Sequence, residues 1–134
     1  IAAQALGIAQ GALNEAIQYT KERKQFSRPL SSFQNTQFQM AELQTKIDAA
    51  RLLTYRAAVL KDQGKPYSTE AAMAKLYASD VSMDSTRISL QLMGGYGYTR
   101  EYPLERMFRD AKITEIYEGT SEVQKMVIAA SLLK

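Results

Sequence analysis

A glutamate near the end of the chain stands where a carboxylate could act as a base. Glu118 lies in EIYEGTSEVQ, residues 115–124, between a tyrosine and a glycine and just before a Thr-Ser pair that predicts a helix start. A carboxylate on a loop beside apolar residues, here Ile116 and Tyr117, can have a pKa raised toward the working range of a general base. Alternatively, Glu118 only complements the positive end of the next helix, a contribution of about 0.3–1 kcal/mol that Glu122 already provides. The residues alone leave both interpretations open.

The composition removes most other catalytic groups. The chain has no cysteine and no histidine. Thiol nucleophiles, disulfides and Cys/His zinc sites are therefore excluded, together with the commonest general base. We predict no metal site, and any acid–base chemistry must use a carboxylate, a lysine or a tyrosine.

Charge and hydropathy narrow the class of protein further. Seventeen Lys and Arg residues against fourteen Asp and Glu leave a net charge of +3, which is too small and too scattered to indicate nucleic-acid binding. No run of about 18 apolar residues is present, so we predict no membrane span, and there is no signal-peptide pattern. The opening AAQALGIAQGAL is typical of the middle of a helix. We therefore interpret residues 1–134 as one domain cut from a longer protein.

Two further stretches could contact a phosphate or a flat ligand. LMGGYGY, Leu92–Tyr98, is either a glycine-based helix end or a backbone surface left bare for close approach. TKERKQFSRPL, Thr20–Leu30, is either a solvated helix end or a pair of phosphate-binding arginines, Arg23 and Arg28, beside Phe26. For each stretch considered alone, the first interpretation is the simpler one.

The elements that must position these residues are helices. Apolar spacing of three and four residues predicts four: from the start to about Arg23, from about Gln34 to Asp62, from near Ser68 to GGYGY, and from a start just after Thr120–Ser121. A short helical turn is expected after Pro103. Strand patterns are missing. Long helices joined by short loops favour an all-α, antiparallel four-helix bundle.

The fourth helix carries two local predictions. Ser121 and Gln124 fit a capping box at its start. Its apolar residues recur at helical spacing and predict a buried face formed by Val123, Met126, Val127, Ala130 and Leu133.

Three motifs, in this order and spacing, closely resemble the C-terminal domain of the acyl-CoA dehydrogenases: RKQF…Q, QLMGGYGYTREYPLERMFRDAKI and IYEGTSEVQ. The likeness covers essentially all 134 residues, and the last two motifs are highly specific as a pair. ALGIAQGAL, ARLLTYRAAVLKD and EAAMAKLYAS are most similar to the short-chain, butyryl-CoA type. The resemblance implies that an N-terminal helical domain and a middle β-domain of the enzyme are absent from this sequence.

The resemblance implies FAD-dependent oxidation of a short-chain acyl-CoA to a trans-2-enoyl-CoA, in fatty-acid oxidation or butyrate metabolism. Glu118 matches the family's base, which removes the pro-R α-proton of the thioester while the β-hydrogen leaves as hydride to N5 of FAD. Tyr117 and Gly119 are expected to bind the substrate. Thr120, Ser121 and Glu122 are expected beside the flavin.

Other positions match residues that hold the ADP half of the FAD of a neighbouring subunit. They are Arg23, Phe26, Gln34, Gln91, Leu92, Met93, Gly94 and Gly95. The resemblance therefore implies a homotetramer, a dimer of dimers, in the full-length protein. It also implies an acyl-CoA substrate, an electron-transferring flavoprotein as partner, and an intracellular location, with the bacterial cytoplasm favoured over the mitochondrial matrix.

One position departs from the family pattern. Ser27 stands where relatives usually have glycine after the Phe, which bears on the backbone geometry of that loop. The presence of Glu118 argues against the isovaleryl and long-chain types, which carry Ala or Gly at this position. Two alternatives to a short-chain dehydrogenase remain: a non-catalytic helical module for assembly or binding, and an acyl-CoA dehydrogenase of another chain-length preference.

Overall fold

The computed structural model describes all 134 residues and is mostly helical. Its helices are α1 (Ala2–Glu22), α2 (Gln34–Asp62), α3 (Ser68–Met93), α4 (Gly95–Tyr98), α5 (Leu104–Thr114) and α6 (Ser121–Leu132). Between α1 and α2 lie the strands β1 (Lys24–Gln25) and β2 (Arg28–Pro29) and a 3₁₀ turn at Leu30–Ser32. Every helix falls short of the combined length and apolarity that a bilayer-spanning segment needs.

The central helix of the bundle is α3, against which α1, α2, α5 and α6 all pack. Two ion pairs show that α2 and α3 run antiparallel. Lys46 Nζ lies 2.5 Å from Asp84 Oδ2, whereas Arg56 Nη2, ten residues further along α2, lies 3.1 Å from Glu70 Oε1 near the start of α3. The all-α bundle that the helical spacing predicts is confirmed.

Small residues allow α1 and α3 to pack closely. The buried positions of α3 are mostly alanine and serine, and the Ser85 hydroxyl donates to the Ala9 carbonyl oxygen of α1 at 2.7 Å. The main core lies between the first three long helices and consists of Ala5, Leu6, Ala9, Leu13, Leu43, Ile47, Ala50, Ala78 and Val81. A smaller cluster of Ala12, Met93 and Leu104 closes the end of the bundle where α3 meets α5.

The link from α1 to α2 contains a β-hairpin that the sequence pattern does not predict. β1 and β2 pair antiparallel, with Gln25 opposite Arg28. The two loop residues have positive φ, 51° at Phe26 and 64° at Ser27, as in the type I′ turns that fit a two-residue hairpin. The hairpin escapes prediction because its strands have two residues each and its loop is Phe-Ser instead of Asn-Gly. The left-handed φ at Ser27 also gives the physical reason for the family's usual glycine.

The face of α6 that was predicted to be buried is exposed. The exposed fractions are 44% at Val123, 70% at Met126 and 85% at Leu133, and Val127 and Ala130 are exposed as well. The residues of α6 with partial burial lie on another face and include Ser121, Gln124 and Ile128. The spacing correctly identifies a helix with an apolar side, but it carries no information on whether this chain covers that side.

Two local features beside the Glu118 loop also differ from prediction. α5 has 11 residues, so it is a full helix and not a short turn after Pro103. The N-cap of α6 is Thr120, whose Oγ1 accepts a hydrogen bond from the Val123 backbone N–H at 3.4 Å. The capping box that begins at Ser121 is therefore wrong by one residue.

The hairpin loop provides a stability test. Ser27→Gly should raise the free energy of unfolding by about 0.5–1 kcal/mol, because glycine adopts a φ of this sign without the steric penalty of a Cβ. Thermal unfolding followed by circular dichroism should show Tm higher by about 2–4 °C. The same substitution at Ser131, in the last turns of α6, should lower the free energy of unfolding instead. A lower Tm for Ser27→Gly would contradict the left-handed conformation.

Candidate active site

Glu118 lies on the six-residue loop between α5 and α6, and its backbone is in an unfavourable conformation. The φ angles are 55° at Glu118 and 90° at Gly119. The loop is closed by the Ser121 backbone N–H, which donates to the Glu115 carbonyl oxygen at 3.0 Å. Because a side-chain-bearing residue at positive φ costs about 1 kcal/mol or more, contacts from the surrounding structure must hold this turn.

Side chains from three helices provide those contacts. From α3, Lys75 Nζ donates to the Gly119 carbonyl oxygen at 2.8 Å. From α6, Gln124 Nε2 donates to the same oxygen at 3.0 Å and to the Glu118 carbonyl oxygen at 3.3 Å. The Tyr117 hydroxyl donates to Gln4 Oε1 of α1. The predicted base therefore sits on a turn that is tied to the bundle on both sides.

Glycine is required at position 119 for two reasons. Its φ of 90° is one that side-chain-bearing residues rarely adopt. A Cβ built there would also lie 2.7 Å from Gln124 Nε2 and 3.3 Å from Val123 Cγ1, so it would disturb the hydrogen bonds that hold the turn. The glycine thus keeps the turn compact against α6.

The Glu118 side chain lines an open groove of about 1260 Å³ on the surface of the bundle. Small and apolar residues line part of the groove, among them Ala57, Ala72 and Val127, and three lysines line it as well, Lys61, Lys65 and Lys75. Glu118 itself is exposed, and Ile116 is 48% exposed. The expectation that Ile116 and Tyr117 desolvate the carboxylate is therefore wrong for this chain, because neither side chain encloses it.

Thr120, Ser121 and Glu122 face a different cavity, of about 610 Å³, between α3, α5 and α6. Leu76, Lys112 and Lys125 also line it. The pKa of Glu122 is lowered by its own backbone N–H at the start of α6 and by the Thr120 hydroxyl. Glu122 is thus a first-turn carboxylate stabilised in its charged form by the helix end, as predicted for it.

The glycine stretch forms a third site at the far end of α3. Arg23, Gln91, Leu92, Met93, Gly94 and Gly95 line one pocket of about 530 Å³. The Arg23 guanidinium lies 5.5 Å from the centre of the Tyr96 ring, a cation–π distance that orients it. The φ of 61° at Gly94 requires glycine, whereas a Cβ at Gly95 would meet nothing within 4 Å. Packing inside this chain therefore gives no reason for glycine at 95, and the bare backbone faces open space.

Two of the residues predicted to hold the ADP half of FAD lie outside that pocket. Phe26 is 89% exposed at the tip of the hairpin, with its ring centre 6.3 Å from that of Phe33. Gln34 is exposed at the first turn of α2. Neither contributes to the pocket that Arg23 and the glycines share.

Sequence analysis missed several residues that shape these sites. Tyr19, Tyr96 and Tyr102 form an aromatic cluster with ring centres 5.9–6.1 Å apart, and the first two line the pocket beside Arg23. Lys75 was also overlooked. A signal for it existed, since it interrupts a stripe of small buried residues on α3 that includes Ala72, Ala78 and Ser82.

The two ends of α3 separate the predicted sites. Lys75 contacts the Glu118 turn, and Met93 lies next to the glycine stretch. The two residues are 18 positions apart in α3. At about 1.5 Å of rise per residue this corresponds to roughly 27 Å. The pocket of Arg23 and Gly95 therefore lies at the opposite end of the bundle from the Glu118 turn.

Comparison with known proteins identifies the family. Residues 1–133 match the family model described as acyl-CoA dehydrogenase, C-terminal domain. The chain is 60% identical, over its whole length, to a short-chain specific acyl-CoA dehydrogenase of Clostridium acetobutylicum and covers 35% of that protein. It is 52% identical over its whole length to the caffeyl-CoA reductase-Etf complex subunit CarC of Acetobacterium woodii, of which it also covers 35%.

A solved structure agrees with these relatives. The fold superimposes on butyryl-CoA dehydrogenase from Megasphaera elsdenii with a TM-score of 0.98 at 54% identity, covering 99% of this chain and 35% of that one. The chain thus spans about a third of the length of the proteins that it matches. The match extends from end to end of the chain in each comparison, and the chain therefore belongs to the acyl-CoA dehydrogenase family, as a C-terminal domain.

Proposed function

We propose that this domain supplies the catalytic base and part of the FAD site of an enzyme that oxidises short-chain acyl-CoA to trans-2-enoyl-CoA. The observation that carries the proposal is the Glu118 turn. It combines a positive φ of 55° at Glu118 with hydrogen bonds to α1, α3 and α6, beside an open groove lined by small apolar residues and by lysines. Such an arrangement holds a carboxylate at a fixed place, as proton abstraction from a bound substrate requires.

The reaction divides between the chain and its cofactor. FAD, when bound, supplies the acceptor for the hydride that leaves the β-carbon. Glu118 takes the α-proton, Gly119 and Tyr117 lie against the acyl-CoA, and the start of α6 at Thr120, Ser121 and Glu122 contacts the flavin side of the site. No histidine or cysteine competes with Glu118 for the role of base, because the chain has neither.

The groove beside Glu118 needs a cover before the carboxylate can act. In this chain Glu118 is exposed, so desolvation must come from acyl-CoA, flavin and the parts of a full-length enzyme that lie outside these 134 residues. Removing water raises the pKa of a carboxylate toward that of an effective base. The small residues along the groove leave room for such a cover.

The residues at the far end of α3 fit a phosphate-bearing part of FAD. Arg23 is oriented by Tyr96, and the Gly94–Gly95 backbone faces open space without a packing reason for its glycine at 95. Arginine and bare backbone N–H groups are the protein groups that pyrophosphate prefers. The pocket lies roughly 27 Å along α3 from the Glu118 turn, which supports assigning it to the FAD of a neighbouring subunit. Phe26 and Gln34 would contact that FAD from the hairpin side.

That assignment leads to a homotetramer, a dimer of dimers. The exposed apolar side chains support it: Leu52, Tyr55 and Val59 on α2, and Met126 and Leu132 on α6, are each between 52% and 72% exposed. Apolar patches of this kind are typical of surfaces that other protein covers.

The substrate proposal is a C4 to C6 acyl-CoA, with an electron-transferring flavoprotein as electron acceptor. It is supported by the 60% identity to a protein named short-chain specific acyl-CoA dehydrogenase and by the likeness to butyryl-CoA dehydrogenase. The relative named as a subunit of a caffeyl-CoA reductase-Etf complex supports a second candidate, reduction of an enoyl-CoA. In that direction Glu118 would return the proton to the α-carbon.

Glu118→Gln tests the role of the base. In a full-length enzyme carrying this domain, the variant should retain FAD and bind acyl-CoA, because glutamine has nearly the same shape. Flavin reduction by butyryl-CoA in single-turnover stopped-flow absorbance should slow by at least about 10²–10⁴-fold. Glu101→Gln, which changes an exposed carboxylate before α5, is the matched control and should react normally. Reduction of the Glu118→Gln flavin at the wild-type rate would disprove the assignment.

Arg23→Gln tests the second pocket. Loss of a charge-assisted contact to phosphate should weaken FAD binding by about 10- to 100-fold, measured as flavin released during gel filtration of the full-length enzyme. Arg109→Gln removes an exposed arginine whose partner is Glu105 of the same helix and should leave FAD binding unchanged. Equal FAD retention by the wild type and both variants would show that Arg23 does not bind the cofactor.

A further inference from the structure

Lys75 is a buried cation without an ion-pair partner in contact. The residue is 6% exposed, near the start of α3 and beside the Glu118 groove. No carboxylate oxygen lies within 4 Å of its Nζ, unlike the ammonium groups of Lys46 and Lys112. Its one hydrogen bond is to the Gly119 carbonyl oxygen, at 2.8 Å. Burial lowers the pKa of Lys75, against a smaller opposite effect of Glu115 and Glu122. Burying an ammonium group is costly, so a stabilising role alone is a weak reason for a lysine here.

The position of that one contact is the informative feature. The acceptor belongs to the residue directly after Glu118, within the two-residue stretch of positive φ. Lys75 lies on α3, the helix against which every other long helix packs. The bond therefore ties the turn to the central helix of the bundle. The second donor, Gln124, lies on α6, which has no fully buried residue.

Two carboxylates near the turn affect Lys75 without touching it, and one of them, Glu115, is paired with Lys112 at 2.6 Å. The acidic groups whose charges act on it are Glu115, before the turn, and Glu122, after it. Both side chains flank the turn that carries Glu118. The hydrogen bond to the Gly119 carbonyl oxygen is thus the contact through which the ammonium favours one conformation of the Glu118 backbone.

We propose that Lys75 is a positioning residue for catalysis, which holds the Glu118 carboxylate at the distance from the substrate α-carbon that proton transfer requires. The inference rests on the proposed role of Glu118 as base. Lys75 takes no proton from the substrate and acts only through the backbone of Gly119. Without its bond the positive-φ turn has fewer contacts to offset its conformational cost, and the carboxylate samples positions from which transfer is slow.

The first experiment compares Lys75 with a second lysine of the bundle, Lys46. Lys75→Met in the full-length, FAD-loaded enzyme should slow single-turnover flavin reduction by about 10- to 100-fold, the effect expected of a misplaced catalytic group, while the Kd for butyryl-CoA changes less than about threefold. Lys75→Arg, which keeps a cation and a donor, should recover part of the rate. The control is Lys46→Met, which removes an ammonium that binds Asp84 of α3 and has no hydrogen bond to the Glu118 turn. It should react within about twofold of wild type.

The second experiment separates this inference from the proposed function. If Lys75 acts through Glu118, the double variant Lys75→Met/Glu118→Gln should be no slower than Glu118→Gln alone, because the two changes disable one unit. A further, independent loss of rate in the double variant would overturn the positioning role while leaving Glu118 as base. A normal rate for Glu118→Gln would instead overturn the proposed function, and with it the role of Lys75.

A third variant keeps the inference testable should Lys75→Met fail to fold. Gln124→Leu removes the other donor to the Gly119 carbonyl from a half-buried position without burying or exposing a charge. It should slow flavin reduction by about two- to fivefold and lower Tm by only about 2–4 °C, because Gln124 donates two neutral hydrogen bonds to the turn. Two outcomes would show that these contacts only stabilise the fold. One is a lowered Tm with a wild-type rate of flavin reduction in Lys75→Met. The other is a wild-type rate of flavin reduction in Gln124→Leu.

Discussion

The unfavourable backbone at Glu118 and Gly119 is the constraint on which the site depends. A turn with two successive residues at positive φ is not stable by itself, since the first of them carries a Cβ. It exists because donors from α3 and α6 converge on its carbonyl groups and because Tyr117 is bonded to α1. The bundle is therefore the source of the geometry of the turn, and the arrangement of α1, α3 and α6 has to be in place before Glu118 has a defined position.

α3 connects this turn with the rest of the molecule. Its buried alanine and serine residues let α1 lie close, and the Ser85–Ala9 hydrogen bond links the two backbones through one short side chain. Near its start α3 carries Lys75 beneath the Glu118 turn, and its last turn leads into the Gly94–Gly95 backbone beside Arg23. One rigid helix thus fixes the distance between a proposed catalytic site and a proposed phosphate site, which a pair of loops could not do as reliably.

The surfaces of the domain fit a part of a larger enzyme. The groove beside Glu118 is open, the apolar face of α6 is exposed, and the arginine–glycine pocket lies at the opposite end of the bundle. The exposed apolar face is unfavourable on an isolated bundle, and the groove and the arginine–glycine pocket have no role there. Each is reasonable where cofactor, substrate and neighbouring protein cover them, in keeping with relatives about three times as long as this chain.

The sequence by itself determined the helical bundle, the family and the identity of the candidate base. Helical spacing of small and apolar residues is repeated over α1, α2 and α3, whose combined length makes the pattern unambiguous, and IYEGTSEVQ is specific enough to single out Glu118. Only the tertiary structure decided the rest. The hairpin at Phe26–Ser27 is too short for a strand pattern, and the exposed side of α6 depends on what packs against it. The contact between Lys75 and Gly119 joins residues 44 positions apart, and no local pattern encodes it, because such contacts arise only when the packing of helices brings distant side chains to the same turn.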